Sequence, residues 1–146
     1  MLDCGGYTIK LATRLLGNDV NLVHHILNYK DEFEVDIYGS GTIVNDKGVV
    51  AQLAFGMDNS YKCELEVWGE KGTLYTNRIL TAPDGFNPVV TINTSEGVYQ
   101  ETLDSDDTFK KSIEYFINCI NNDNLKKKAF EGMLVQSRLV EIFKEN

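Results

Sequence analysis

A chain of 146 residues, 42% hydrophobic and 25% charged with only two prolines, is long enough to bury one ordinary core, which excludes disordered, collagen-like and disulfide-framework classes. A net charge of −8 argues against a nucleic-acid or anionic-membrane partner, because phosphate binding draws its affinity from clustered Lys and Arg. The three cysteines, Cys4, Cys63 and Cys119, have no metal-ligand spacing, no apolar run approaches the ~18–20 residues that span a bilayer, and the N-terminus lacks a basic-then-apolar signal; a reduced, cytoplasmic setting without a zinc site is expected.

The first segment, Asp3 to Leu16, reads as a helix with Asp3 as N-cap and Gly17 past its end. Tyr7, Leu11 and Leu15 recur at i, i+4 and i+8, with Ala12 and Leu16 beside them, and form the expected buried face. Gly5-Gly6 lies in the first turn, where each glycine costs about 1 kcal/mol against alanine. A helix that starts this abruptly, with glycines this costly, implies a chain that begins in the middle of something larger.

From Val20 to Leu103 the period is two. Strands are expected over Val20–Tyr29, around Phe33, Val35 and Ile37, and from Val49 to Phe55. Further strands follow from Tyr61 to Val67, over Thr73–Tyr75, over Val89–Asn93 and over Val98–Leu103, with turns at Lys30-Asp31-Glu32, Asn45-Asp46-Lys47-Gly48 and Gly69-Glu70-Lys71-Gly72. Helical periodicity then returns. Asp104-Ser105-Asp106-Asp107 caps a helix with Phe109, Ile113, Phe116, Ile117 and Ile120 on its apolar face. A last helix from Leu125 towards Glu145 is expected to bury Phe130, Leu134, Leu139, Ile142 and Phe143, and its opening Lys126-Lys127-Lys128 is a solvated face.

The fold class is α+β: an N-terminal helix, a largely antiparallel open β-sheet with helices packed on one face, and two C-terminal helices, in one domain over residues 1–146 without a Rossmann domain.

Gly39-Ser40-Gly41 follows a strand, as a dinucleotide loop would, but Val44 stands at the third glycine position and no helix start follows. It reads as a strand-end turn, and no cofactor is expected to bind this chain. His24 and His25 are adjacent and point to opposite faces of a strand, so they cannot share a metal; one packs and one is exposed. Asp3 and Tyr7 share a helical face roughly 6 Å apart, where a phenol could exchange a proton with a bound hydroxyl or carbonyl, although a Tyr on that face also serves as core. Glycines between them would permit close approach of another body.

Leu2-Asp3-Cys4-Gly5-Gly6-Tyr7, continuing through Leu15-Leu16-Gly17, resembles the L-D-x-G-x-[HY] segment of the glucose–fructose oxidoreductase / inositol dehydrogenase (Gfo/Idh/MocA) family. Later features keep the family's order: Ala51-x-Leu53-x-Phe55, then Glu66-x-Trp68-Gly69-x-Lys71-Gly72-x-Leu74, then the closing helices Phe116–Ile120 and Ala129–Phe143. The resemblance implies the C-terminal, substrate-side domain of a two-domain enzyme, truncated at its N-terminus. NAD or NADP would be carried by the other domain, and a sugar or nucleotide-sugar substrate would lie between the two. It implies catalytic roles for Tyr7 and Asp3, and close approach of the cofactor at Gly5 and Gly6. It also implies homo-oligomers built through the sheet face, for which Val50, Gln52 and Ala54 are the candidate row. The chain alone is then expected to be inactive. A different class, a stand-alone sheet domain for assembly or ligand binding without redox chemistry, fits the same strands.

Overall fold

The structure is a computed structural model that describes residues 3–31 and 33–145. Leu2 of the opening motif and Glu32 of the first turn lie outside the described residues. The element order is α1 (Cys4–Leu16), β1 (Val20–Tyr29), β2 (Asp36–Asn45), β3 (Val50–Gly56), β4 (Glu64–Gly69), β5 (Gly72–Asn77), β6 (Val89–Thr94), β7 (Gly97–Thr102), α2 (Thr108–Asn121) and α3 (Asp123–Lys144). The α+β class read from the sequence is the class observed; the three helices are present, but the strand expected around Phe33, Val35 and Ile37 begins only at Asp36 and runs on to Asn45, and the strand expected from Tyr61 begins at Glu64.

The span read as one domain forms two compact units, residues 1–59 with 118–146, and residues 60–117. The single expected sheet is correspondingly two antiparallel sheets, β1-β2-β3 and β4-β5-β6-β7. A period of two declares a strand but not its neighbour, and β3 and β4 do not pair. At this break Asp58 turns back to an ion pair with Lys30 at the end of β1.

In the first unit the ladders place Leu22, Ile43 and Ala51 in one row, His25, Gly41 and Leu53 in the next, and Leu27, Gly39 and Phe55 in a third. These rows face the core, which is completed by Ile9 and Ala12 of α1 and Leu139, Val140 and Phe143 of α3. The opposite rows carry Ile26, Ser40 and Ala54, then His24, Thr42 and Gln52, then Asn21, Val44 and Val50. The Tyr38 phenol and the Asp36 carboxylate, at the start of β2, also lie on that open face, and the remaining side chains on it other than His24 are uncharged.

Gly39-Ser40-Gly41 is not a strand-end turn. It lies in the middle of β2, paired to β1 on one side and β3 on the other. A Cβ on Gly39 would stand 2.7 Å from the Ile26 carbonyl and 2.7 Å from the Phe55 ring, and one on Gly41 would collide with the Phe143 ring. The glycines are there because aromatic side chains press against the strand at both positions, a tertiary demand that local turn preference cannot register.

The helix faces also need correction. In α1 the buried residues are Gly5, Ile9, Ala12 and Thr13, while Tyr7 and Leu15 are exposed. Two apolar stripes run along this helix, and the one with smaller side chains meets the sheet because it lets the backbone come closer. In α3 the inward seam runs through Leu125, Ala129, Gly132, Gln136, Leu139 and Phe143. Phe130 and Leu134 fall one step off it, Leu134 at 71% exposure. In α2, Phe109, Ile113, Phe116, Ile117 and Ile120 are exposed and only Cys119 is buried. Amphipathic spacing identifies a face, but a face is buried only where another element covers it.

The caps follow ordinary chemistry in two of three helices. The Asn122 side chain accepts from the Leu125 amide at 3.0 Å, and the Asp107 carboxylate from the Lys110 amide at 2.8 Å. Asp3 occupies the N-cap position of α1 but makes no side-chain cap bond. No helix among the described residues is long and apolar enough to cross a membrane.

Candidate functional site at the start of α1

Four of the residues singled out from the sequence, Asp3, Gly5, Gly6 and Tyr7, meet in the first turn of α1. Tyr7 is 60% exposed, and among the described residues its phenol has no hydrogen-bond partner. Asp3 is exposed one helical turn earlier. Gly5 is buried.

This turn lacks a side-chain cap and contains two glycines, so its order must come from elsewhere. Within the turn, Thr8 Oγ1 donates to the Gly5 carbonyl at 2.8 Å. From α3, the Gln136 side-chain amide donates to the Gly6 carbonyl at 3.1 Å. At the other end of the helix, Asn45 Nδ2 donates to the Leu16 carbonyl at 3.2 Å. Helix α1 is therefore pinned at both ends by amide side chains from other elements. Gln136 escapes sequence reasoning entirely, since nothing local links it to a peptide group 130 residues away.

The Cys4 thiol donates to Met57 Sδ at 3.1 Å. Burial pushes its pKa up, and the Asp3 carboxylate adds to the shift in the same direction. Cys4 therefore stays a thiol at neutral pH.

The histidines separate as a strand requires. His24 is exposed, while His25 faces the core with its ring centroid 5.2 Å from that of Phe143 and Nε2 3.1 Å from the Glu145 carbonyl. Among the described residues no three His, Cys, Asp or Glu side chains converge as metal ligands. The Gly39–Gly41 segment is not a dinucleotide loop, because it is hydrogen-bonded on both edges inside β2 and continues as strand to Asn45.

The profile of the GFO/IDH/MocA C-terminal domain matches residues 1–75. The chain belongs to the GFO/IDH/MocA family. It is 33% identical over 141 residues to the dTDP-3,4-didehydro-2,6-dideoxy-alpha-D-glucose 3-reductase of Actinomadura kijaniata, an alignment covering 97% of this chain and 42% of that protein. The reductase of the same name from Streptomyces violaceoruber is 30% identical over 121 residues, covering 82% and 35%. The crystal structure of the 3-ketoreductase from Actinomadura kijaniata with NADP and TDP-benzene matches at TM-score 0.92 and 33% identity, over 99% of this chain and 44% of that one. The chain thus spans less than half the length of the relatives it matches, and its likeness is to their C-terminal part.

Proposed function

We propose that residues 1–146 act as the substrate-binding and oligomerisation half of an NADP-dependent reductase of a nucleotide-linked keto-sugar. The observation that carries this reading is the exposed phenol of Tyr7, without a hydrogen-bond partner among the described residues, at the motif-bearing start of a helix pinned at both ends. A phenol held this way gives a proton to, or takes one from, the oxygen of a sugar carbonyl or hydroxyl. Asp3 lies beside it as a second polar contact for the sugar, and the bare backbone at Gly5 and Gly6 leaves room for the reacting groups. The likeness to reductases of dTDP-linked sugars supports the substrate class, and the NADP of the solved relative supports the cofactor. The cofactor is held outside this chain, and by itself the chain is inactive. Three free cysteines accord with a reduced, cytoplasmic setting.

The open face of β1-β2-β3, with Ile26, Val44, Val50, Gln52 and Ala54, supports pairing between copies, since nearly every side chain on it is uncharged in a chain that is one quarter charged. The same face favours the second reading, an assembly domain without redox chemistry. The two part in one titration. A dTDP-linked sugar added to the isotope-labelled chain should shift the Tyr7 ring resonances, with no calorimetric signal from NADP alone. An assembly domain would dimerise by light scattering and leave Tyr7 unmoved.

A further inference from the structure

We infer that Arg78, in the connection between β5 and β6, is a contact for a phosphoryl anion. Arg78 alone among the described non-glycine residues has a positive φ, at 50°. That left-handed backbone is disfavoured for a side chain of this size, and glycine or asparagine would hold the same turn with less strain. The strain therefore serves the side chain. The guanidinium carbon lies over two rings, 5.1 Å from the Tyr61 centroid and 5.9 Å from that of Phe86. Tyr61 is hydrogen-bonded to Thr81, and the Thr81 amide donates to the Arg78 carbonyl at 3.3 Å. The Arg78 amide donates to the Cys63 carbonyl at 2.6 Å. The Tyr61 ring and the Arg78 backbone are thus tied down around one cation.

The cation itself is not used. Among the described residues the guanidinium makes no ion pair and no hydrogen bond, although acids outnumber bases by eight. Stacking occupies the faces of a guanidinium and leaves its five in-plane N–H donors free, in a fork that matches phosphoryl or carboxylate oxygens. In an acidic chain, a half-buried fork kept away from its own carboxylates selects an external anion. Naming that anion as the diphosphate of a nucleotide-linked sugar rests on the function proposed above; the phosphoryl contact itself does not.

Calorimetry on the full chain tests this with pyrophosphate, dTDP and thymidine. Wild type should bind the two phosphoryl probes, and Arg78→Gln should weaken both by roughly tenfold or more, the scale of one or two charge-assisted hydrogen bonds. Arg78→Gly should do the same while relieving the backbone, which guards against a folding artefact, and thymidine should be indifferent to either change. A marked preference for dTDP identifies a nucleotide-linked diphosphate as the source, and equal affinity identifies a bare phosphoryl site. Equal affinities in wild type and Arg78→Gly, or no binding of either phosphoryl probe by wild type, overturns the inference. If Tyr7→Phe leaves turnover of the intact enzyme unchanged while dTDP affinity still depends on Arg78, the functional reading fails and the anion contact stands.

Discussion

The ring of Phe143, near the end of α3, occupies the space that a Cβ on Gly41 would fill at the centre of β2. Phe143 is fully buried, with the Phe55 ring 6.1 Å and the His25 ring 5.2 Å from it. Gly41→Ala should therefore destabilise the first unit by about 1–3 kcal/mol, the usual cost of an extra methyl forced into a packed core. Urea unfolding checks this. Ser40→Ala, one residue away on the open face, should fall within about 0.5 kcal/mol of wild type.

Gln136→Ala removes the donor to the Gly6 carbonyl and should cost about 0.5–1.5 kcal/mol. Because α1 has no side-chain N-cap, the loss should fall first on its opening turn. Hydrogen exchange should speed up at amides near Tyr7 while those of β2 change little. Equal protection near Tyr7 in both proteins would mean that the bond does not order the turn.

Tyr7→Phe deletes a hydroxyl without a protein partner among the described residues, so folding stability should stay within about 0.5 kcal/mol of wild type. In the intact enzyme the same change should lower turnover by roughly 10²-fold or more, the scale of a general acid or base. The two results together separate a catalytic phenol from a structural one.

The Asp58 carboxyl is held below its ordinary range by the hydrogen bond from Lys30, with the ammonium charge adding to it. A depressed folded pKa means the pair contributes stability above the ordinary aspartate pKa, and that contribution is lost as pH falls through the lowered folded value. Both groups are largely exposed, so the effect should be small and screened by salt. An NMR titration should find Asp58 low in wild type and back in the ordinary carboxylate range in Lys30→Met.

What the sequence determined by itself was the inventory of local structure and the motif. Period-two and period-3.6 patterns, glycine turns and Asx caps are encoded by neighbours in the chain, so β1 was read to its observed ends and all three helices were found. The opening L-D-x-G-x-Y pattern pointed to the start of α1 as the site. Tertiary structure decided whatever depends on partners distant in sequence. It turned Tyr7 outward, because the smaller Gly5–Ile9–Ala12 stripe comes closer to the sheet, and it placed Gly39 and Gly41 under aromatic rings instead of in a turn. It also left Phe109 and Leu134 in solvent, divided the strands between two sheets, and supplied Gln136 as the support for the Gly6 carbonyl. A side chain's spacing says which face it shares, whereas burial depends on what packs against that face, and that is set only once the whole chain has folded.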